Sequence, residues 1–476
     1  MNKLDKDIIE KLAYRVAELG GRAYMVGGAV RDEIMKRPIK DVDIEVHGIS
    51  EAVLEAVLKE LGKPLRFGSA FGVYSLAGHQ IDIALPRSER KSGSGHRDFE
   101  IEINPFIGIK EAARRRDFTM NALLKDILSG EITDPYGGVE DIRNRIIRHI
   151  DDRKFGEDPL RALRAAQFRS RFGFQVAPST ISICRALDLR ELSAERVEIE
   201  MKKALLESRQ PSEFFECLRE MGQLGYWFQE LEQLIGLEQN PKFHPEGDVW
   251  THTMMVLDRA AHFRSYVSDS YAFMLLALTH DFGKITTTEF VNGAIHAYGH
   301  ELQGAEIAER FLDRVSHDSY IKGYIRNMIP NHMRPNIVAE ARSSIKKTNH
   351  MFDDVLAPVD LIYFAICDKP KLLYNMMLDE TDEELSESYK EMEKEKEQKR
   401  VNFLFDRLQV YKETMSKPYV TGKDLIDNGI EPGENFKEIL DYAHKLRLAE
   451  IPKDSALKQT LSYARKLSVK NINKAL

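Results

Sequence analysis

Two aspartates one residue apart, Asp41 and Asp43, stand in the segment DVDIEV. Apolar and acidic residues alternate there, which predicts a strand, and alternate residues of a strand project from one face. Two carboxylates held this close repel each other unless a cation lies between them. Mg²⁺ is typically bound by one or two carboxylates together with substrate phosphates. A lone Asp-x-Asp pattern is more often a pair of surface residues, so the neighbouring sequence decides between these interpretations.

A glycine pair precedes the aspartates. The segment AYMVGG predicts a strand that ends at Gly27 and Gly28, and a helix is expected to begin at about Ala29. Glycines at such a turn let backbone amides approach a polyphosphate closely, and the N-terminus of a helix adds partial positive charge. This context favours a metal and phosphate site over surface aspartates.

The patterns around these segments predict a mixed α/β domain at the N-terminus. AYMVGG, DVDIEV, VYSLAG and HQIDIAL are typical of short strands, and DKDIIEKLAYRVAEL and SEAVLEAVLKELG of helices. From about residue 151 the pattern is almost wholly helical, and NPKFHPEG near residues 240–247 indicates a boundary. We predict an α+β fold in four parts: an α/β head (1–150), a helical neck (151–240), a histidine-bearing helical domain (241–370) and a helical C-terminal region (371–476).

The ordered motifs of the first 205 or so residues resemble those of the class II tRNA nucleotidyltransferases, the CCA-adding enzymes and their poly(A) polymerase relatives. GGAVRD followed by KDVDIEV carries the resemblance, and SERKSGSG (residues 88–95) is similar to a flexible loop of the family. RRRDFTMNAL and DPYGGVEDIRNRIIRHI resemble the ribose-recognising motif, EDPLRALRAAQF the nucleotide-selecting motif, and AERVEIEMKKAL a helix-stabilising element. The resemblance identifies the first part as a nucleotidyltransferase head.

The resemblance implies the chemistry of the head. Asp41 and Asp43 are expected to hold catalytic Mg²⁺ while an RNA 3′-hydroxyl attacks the α-phosphate and pyrophosphate leaves. The resemblance also implies which residues bind the nucleotide. They are Gly27, Gly28 and Arg31 for the triphosphate, Arg116 for the sugar or phosphate, Asp158 and Arg161 for the base edge, and Arg164 for a further phosphate.

The resemblance also implies how the nucleotide is selected. Asp158 and Arg161 would act as a protein template for C or A, since a carboxylate accepts from the exocyclic amine that both bases carry. The spacing of Asp158, Arg161 and Arg164 predicts one helical face. Gln167 stands where some relatives have another arginine, which puts a fourth basic contact in doubt. Outside this motif order, Asp158 and Arg161 would be interpreted as an ordinary helix ion pair.

A second set of residues resembles HD-type metal-dependent phosphohydrolases. His252, the adjacent His280 and Asp281, and the distant Asp368 are the candidate ligands, and His300 and His332 are further candidates. Imidazole and carboxylate together suit Mg²⁺, Mn²⁺ or Ni²⁺, which would acidify a water that attacks a phosphate. Some CCA-adding enzymes carry such a domain after the head. The resemblance implies a 2′,3′-cyclic phosphodiesterase or phosphatase activity.

Composition limits the alternatives. The 476 residues carry a net charge of −7, but residues 110–171 hold 14 Lys and Arg, 11 of them arginine, against 11 acidic residues. Residues 443–476 hold 8 basic against 2 acidic residues, so local gripping of RNA is favoured over general coating. Three scattered cysteines predict reduced core thiols, and the absence of a long apolar stretch argues against a membrane partner. We expect a cytoplasmic enzyme acting on tRNA with ATP and CTP; its oligomeric state is left open.

Three alternatives remain at this point. Within the same chemistry, the chain could add only A, add only CC, or be a poly(A) polymerase, and the loop SERKSGSG favours complete or A-adding activity. It could instead be chiefly an HD phosphohydrolase with a vestigial head. A non-catalytic RNA-binding protein is disfavoured, because it would need neither the aspartate pair nor the histidine cluster.

Overall fold

The structure is a computed structural model in which residues 3–39, 41–67, 72–79, 81–91, 99–369 and 387–475 are described. The chain divides into two compact units, Met1–Gln229 and Glu230–Leu476. The four-part division is finer than this and stays a prediction. Of the predicted loop at residues 88–95, residues 92–95 lie outside the described residues.

The first unit is built on a mixed sheet. Its elements are α1 (Lys3–Glu18), β1 (Arg22–Val26), α2 (Gly28–Ile34), β2 (Val42–His47), α3 (Glu51–Leu61), β3 (Pro64–Phe67), β4 (Val73–Leu76), β5 (Ile81–Ala84), β6 (Arg87–Lys91), β7 (Phe99–Ile103), α4 (Ile109–Arg114), β8 (Leu124–Asp126) and β9 (Ile132–Thr133). The described strands form a sheet in the order β3-β4-β5-β2-β1-β8-β9, and β6 and β7 form a separate ribbon. β2 runs parallel to β5 and antiparallel to β1. Apolar residues of α1 and α3 pack with those of β2, β4 and β5 in one core.

The rest of the first unit is mainly helical. Its elements are α5 (Gly138–Arg143), β10 (Ile146–Ile147), α6 (Asp152–Gly156), α7 (Leu160–Phe172), β11 (Gln175–Val176), α8 (Pro178–Arg185), α9 (Ala194–Glu207), α10 (Ser212–Glu220) and α11 (Gly225–Glu232), with 3₁₀ turns at Thr119–Asn121 and Leu189–Glu191. α7 buries a face that includes Leu163 and Phe168 and ends at Gly173, whose φ of 67° is readily adopted by glycine. The opposite face of α7 is left to carry polar residues.

The second unit is helical apart from one hairpin. Its elements are α12 (Val249–Phe263), α13 (Ser270–Thr279), α14 (Lys284–Thr287), β12 (Thr288–Val291), β13 (Ala294–Ala297), α15 (His300–Val315), α16 (Ser319–Met328), a 3₁₀ turn (Ile329–Asn331), α17 (Arg334–Glu340), α18 (Ile345–Asp353), α19 (Pro358–Cys367), α20 (Glu387–Ser416), α21 (Gly422–Asp427), α22 (Phe436–Leu448) and α23 (Lys453–Ala475). α13 is apolar on all sides and buried from Tyr271 to Thr279, as expected of a central helix. The α+β fold class is confirmed.

The hairpin β12–β13 is an exception to the almost wholly helical pattern expected beyond residue 151. Asn292 and Gly293 connect its strands with φ of 52° and 80°. A two-residue turn with both φ positive matches the right-handed twist of the paired strands, and Asn-Gly is its preferred sequence. The signal was present in the sequence, where the surrounding helical periodicity obscured it.

Two of the compositional expectations can be compared with the structure. Cys184, Cys217 and Cys367 are buried and form no disulfide. Within the part of the chain that is described, no helix has both the length and the apolarity needed to cross a bilayer.

Candidate active sites

One cavity in the first unit brings together nearly all of the residues predicted for the head. Its volume is about 400 Å³. It is lined by Gly27, Gly28, Arg31, Asp43, Arg116, Asp117, Asn121, Asp158, Leu160, Arg161 and Arg164. Asp41 is exposed, directly before β2, and is not among these lining residues. The strand and helix ends therefore converge on one polar cleft.

The sheet adds a carboxylate that the sequence analysis missed. Asp82 on β5 lies beside Asp43 in the parallel register of β2 and β5. Partial desolvation raises the pKa of the Asp43 carboxyl; Arg116 opposes this, while Asp82 and Asp41 raise it further. An acidic group whose neighbours disfavour its ionised form is one that a cation would stabilise. HQIDIAL has the same alternation as DVDIEV, which was the available signal.

Gly27 fits closely against Arg116. Its φ is 67°, and a Cβ built at this position would lie 2.8 Å from an Nη atom of Arg116 and 3.9 Å from Oδ2 of Asp43. Only glycine adopts such a φ without strain and leaves this space open. The glycine pair thus brings the backbone, a guanidinium and a carboxylate to one point.

Glu45 is a second residue that the sequence analysis missed. It is 3% exposed, accepts a hydrogen bond from Nε2 of His47 at 2.8 Å, and lies 3.5 Å from guanidinium nitrogens of Arg115 and Arg116. Burial alone would raise the pKa of Glu45, but His47 and the two arginines outweigh it and lower the pKa to about 2. Glu45 therefore stays ionised and holds Arg116 at the edge of the cavity.

Arg31 lines the cavity but is largely committed to protein partners. It is 6% exposed, donates to Oδ1 of Asn121 at 2.7 Å, and pairs with Asp32. Its guanidinium lies 5.2 and 4.8 Å from the ring centroids of Phe168 and Phe172 on α7. The structure thus assigns Arg31 contacts that fix α2 against α7, in addition to the predicted role toward a triphosphate.

The predicted template residues face the cavity at the start of α7. Asp158 lies two residues before the helix, where its Oδ1 accepts from the Leu160 amide at 3.1 Å. Its carboxylate also pairs with Arg196 on α9 at 2.8 Å. Arg161 donates to the backbone carbonyls of Lys154 and Arg115 at 2.6 and 2.7 Å. Both side chains are therefore held in defined orientations.

Two further residues of α7 differ in role. Arg164 pairs with the buried Asp117 at 2.7 Å and lines the cavity. Gln167 is 1% exposed and is not a lining residue. With its oxygen turned toward Arg171, its amide accepts from the guanidinium at 2.9 Å. Gln167 is therefore a buried residue that packs against Arg171 and does not line the cavity.

The second unit brings together all six predicted histidine and aspartate ligand candidates, with Asp281 among the other five. Nε2 of His252 and of His280 lie 3.7 and 3.3 Å from Oδ2 of Asp281. Nε2 of His300 lies 3.5 Å from its other oxygen, Oδ1. Two groups with metal-ligand spacing share Asp281, His252–His280–Asp281 and Asp281–His300–His332, and a third, His244–Glu246–His252, overlaps the first at His252. Asp281 thus offers one oxygen to each of the two groups that share it.

Three of the histidines are oriented by their own backbone. Nδ1 of His280, His300 and His332 lies 3.0, 2.8 and 2.6 Å from the carbonyl oxygen of the residue three positions earlier. A carbonyl can only accept, so each Nδ1 carries the proton and each Nε2 presents its lone pair to the cluster. Nε2 of His280 is buried and makes no hydrogen bond with the described residues. This donor set fits a divalent metal.

His252 is oriented by a carboxylate instead. Its Nδ1 lies 2.6 Å from Oε1 of Glu246, and its Nε2 lies 2.9 Å from Oδ1 of Asp368. Burial alone would lower the pKa of His252, but Asp368 and Glu246 outweigh burial and raise it to about 9. Burial and the neighbouring His280 lower the pKa of His332 to about 4. Glu246, in the segment HPEGD, was not among the predicted residues.

A cavity of about 260 Å³ opens onto this cluster. Its walls combine ligand candidates with a lysine and aromatic residues: Glu238, Gln239, Asn240, Phe243, His244, Asp281, Lys284, Thr288, Ile295, His296, Ala297, Tyr298, His300, His332, Met333 and Asp368. Lys284 pairs with Oδ2 of Asp281 at 2.7 Å and donates to Gln239 at 2.7 Å. Lys284 therefore places a buried positive charge beside the candidate ligands, in the lining of the cavity.

Comparison with known proteins decides the family. Residues 23–148 match the model of the poly A polymerase head domain. The chain is 36% identical over 326 residues to the multifunctional CCA protein of Actinobacillus pleuropneumoniae serotype 5b, covering 67% of this chain and 77% of the relative. The chain belongs to the CCA-adding enzyme family. A second member of the family, the multifunctional CCA protein of Nitrosococcus oceani, is 40% identical over 296 residues, covering 61% of this chain and 70% of that protein.

Solved structures of CCA-adding enzymes share the fold. A Thermotoga maritima CCA-adding enzyme complexed with tRNA superposes with a TM-score of 0.63 at 20% identity, covering 97% of this chain and 96% of that one. An apo form of a CCA-adding enzyme gives a TM-score of 0.65 at 19% identity, with the same coverage. The predicted membership of this family is confirmed.

Proposed function

We propose that this chain completes the 3′ end of tRNA by adding C, C and A from CTP and ATP in the cytoplasm. The RNA 3′-oxygen forms a bond to the α-phosphorus, the bond between the α-phosphorus and the bridging oxygen breaks, and pyrophosphate leaves while the hydroxyl proton is released. The convergence of Asp43, Arg116, Asp158 and Arg161 on one cavity carries this proposal.

Mg²⁺ fits the acidic end of that cavity. Asp43 and Asp82 are neighbours in the sheet, and Asp41 directly precedes β2. Oxygen ligands from carboxylates are those that Mg²⁺ prefers, and bound Mg²⁺ would neutralise charge on the attacking and leaving oxygens. Arg116 and the glycine turn lie beside the Asp43 carboxylate, where the triphosphate would bind.

Nucleotide choice is proposed to rest on Asp158 and Arg161. The carboxylate accepts from the exocyclic amine of C or A, whereas U presents a carbonyl at that position and is rejected. Arg196 holds the Asp158 carboxylate at 2.8 Å, so the acceptor is oriented before a base arrives. Because the carboxylate is already oriented when the base binds, less conformational entropy is lost on binding.

The test uses tRNA transcripts that end at the discriminator base, at C and at CC, with Mg²⁺ and with ATP, CTP or both. Sequencing of the new 3′ ends should show CCA on all three. Asp41→Ala with Asp43→Ala should abolish incorporation, and Asp82→Asn should lower it about 100-fold, while the exposed Asp7→Asn should not. A added only to the CC end would establish an A-adding enzyme, long A tails a poly(A) polymerase, and no incorporation would refute the proposal.

We further propose that the second unit hydrolyses 2′,3′-cyclic phosphates at RNA ends. A water oxygen bonds to phosphorus, one ester P–O bond of the ring breaks, and the ribose oxygen that leaves takes up a proton. The two ligand groups that share Asp281 favour this second activity. A bound divalent ion would polarise the water and the phosphate. Lys284 is placed to attract the phosphate, and the Nδ1 hydrogen bonds keep the imidazoles in the ligand orientation.

The second activity is tested on 2′,3′-cyclic AMP with added Mg²⁺, Mn²⁺ or Ni²⁺. Asp281→Asn should abolish hydrolysis. The rate of CCA addition should stay within about twofold of the wild-type rate, because substitutions at independent sites do not affect each other. The exposed Asp313→Asn is the matched control and should retain both activities. Wild-type protein inactive with every ion would refute the second proposal and leave the first intact.

A further inference from the structure

The rim of the second cavity carries aromatic side chains that the proposed chemistry does not use. Tyr298 is 71% exposed and Phe243 is 61% exposed, yet both line the cavity that contains Asp281 and His300. Tyr298 lies against His296 in a parallel stack, with ring centroids 4.9 Å apart and ring planes at 10°. Large exposed rings beside a reactive cluster indicate a binding surface.

The backbone holds these rings on one rim. Tyr298 follows β13 and precedes His300 by two residues, so its position is fixed relative to a candidate ligand. Asn240 donates to the carbonyl oxygen of Ile295 on β13 at 3.4 Å, which joins the loop that bears Phe243 to the hairpin. The lining of the cavity therefore combines exposed aromatic rings with candidate metal ligands.

We propose that Phe243, His296 and Tyr298 form a base shelf that stacks the terminal nucleobase of an RNA whose 2′,3′-cyclic phosphate reaches the Asp281 cluster. Every base has a π-face, so stacking recognises a nucleotide end without selecting its sequence. This suits repair of ends broken at any residue. The inference rests on the proposed phosphohydrolase activity and names the features of its substrate.

An RNA end is favoured over a free nucleotide by a cation beside the shelf. Nζ of the exposed Lys242 lies 5.6 Å from the ring centroid of Phe243. A lysine next to a ring of the shelf can meet the phosphate that joins the terminal nucleotide to the preceding one. A free mononucleotide has no such phosphate.

The experiment compares KM and kcat on three cyclic phosphates with full-length protein. The substrates are 2′,3′-cyclic AMP, a tRNA transcript that ends in a 2′,3′-cyclic phosphate, and glycerol 1,2-cyclic phosphate, which has no base. Tyr298→Ala should raise KM about tenfold on both nucleotides, with kcat and the base-free substrate unaffected. Tyr298→Phe should restore the low KM, and Lys242→Ala should raise KM about threefold on the RNA alone.

A matched control lies on the same hairpin. Phe290 is 74% exposed but does not line the cavity, so Phe290→Ala should behave as wild type. An unchanged KM in Tyr298→Ala, or an equal loss on all three substrates, would overturn the base shelf. A Lys242→Ala variant that binds RNA as wild type does would overturn the preference for RNA.

The shelf can be tested separately if no substrate is hydrolysed. Binding of 2′-AMP is then measured by equilibrium dialysis, in the presence of chelator, on full-length chain carrying Asp158→Ala and Arg161→Ala to suppress the head. A dissociation constant raised about tenfold by Tyr298→Ala supports the shelf without the phosphohydrolase activity. Equal binding with and without Tyr298 overturns it.

Discussion

Gly27 shows how one missing side chain shapes the nucleotide site. A Cβ there would meet Arg116 at 2.8 Å, and the φ of 67° disfavours any side chain. Gly27→Ala should therefore displace the guanidinium and raise KM for CTP and ATP at least tenfold, with a loss of about 1–3 kcal/mol in unfolding free energy. Steady-state kinetics and denaturant unfolding measure the two effects.

The matched control for Gly27 is Gly130. Its φ is 75°, but nothing lies within 4 Å of a Cβ built there. Gly130→Ala should show the backbone penalty without the rise in KM. Equal KM values in the two variants would show that Arg116 adapts to the added methyl group.

Glu45 makes the stability of the first unit depend on pH. Its pKa falls from 4.5 to about 2 on folding, so its contribution is fully present above pH 4.5 and is lost as the pH falls toward 2. Glu45→Gln should be less stable than wild type at pH 7 by on the order of 2 kcal/mol, and the difference should close between pH 4.5 and 2. Urea unfolding across that range measures it; a difference that does not vary with pH would contradict the assignment.

Glu246 should control metal affinity through its contact with His252. It holds Nδ1 of His252 at 2.6 Å, and such carboxylate partners set the orientation and basicity of a ligand histidine. Glu246→Gln should weaken Mn²⁺ binding about 10- to 100-fold by isothermal titration. The exposed Glu289→Gln is the control, and CCA addition should be unchanged in both.

At the scale of elements, strand register explains what the sequence could and could not predict. The motifs that resemble the family pointed to Asp43, Arg116, Asp158 and Arg161, and the structure brings these four residues to one cavity. Asp82 was missed because the sequence does not show which strand pairs with β2. That strand is β5, which lies far from β2 along the chain, and the pairing places Asp82 beside Asp43.

Contacts between helices explain the other differences between the sequence-based prediction and the structure. The sequence suggested that Arg31 meets a triphosphate, but the packing of α2 against Phe168 and Phe172 gives it a structural role that only tertiary contacts reveal. Gln167 left a fourth basic contact in doubt, and only the tertiary structure shows that this side chain is buried. The six candidate ligands of the second unit were predicted from the resemblance to HD-type phosphohydrolases, and the structure brings them close together.

The contact between α14 and α15 depends on Gly283. A Cβ there would lie 1.9 Å from the carbonyl oxygen of His300, at the start of α15. Gly283→Ala should force the two helices apart, cost about 3 kcal/mol or more, and abolish metal binding by separating Asp281 from His300. Circular dichroism melts and metal titration measure both.

Gly323 in α16 is the matched control for Gly283. Nothing lies within 4 Å of a Cβ built there, and its backbone is helical. Gly323→Ala should stabilise the protein by about 0.5–1 kcal/mol, because alanine loses less entropy than glycine on helix formation. Destabilisation by both variants would mean that the helix contact is not the cause.

At the scale of the whole molecule, the two compact units each carry one candidate site. We expect two calorimetric transitions, and Mn²⁺ at 100 times its Kd for the second site should stabilise the second unit by about 2.7 kcal/mol. Scanning calorimetry of wild type and Asp281→Asn, with and without Mn²⁺, measures this. Asp281→Asn should remove the Mn²⁺ effect on the second transition and leave any effect on the first unchanged; a second transition that still responds to Mn²⁺ in this variant would contradict the assignment.

The backbone carbonyls that hold His280, His300 and His332 also affect the speed of ion capture. Each ring is fixed by a residue three positions away on its own chain, so its orientation does not depend on the ion. Little chain rearrangement is then needed on arrival, and shedding of water by the ion becomes the slow event. Stopped-flow uptake should rank ions by the rate at which they exchange hydration water, with Mn²⁺ entering faster than Mg²⁺ and Ni²⁺ slowest.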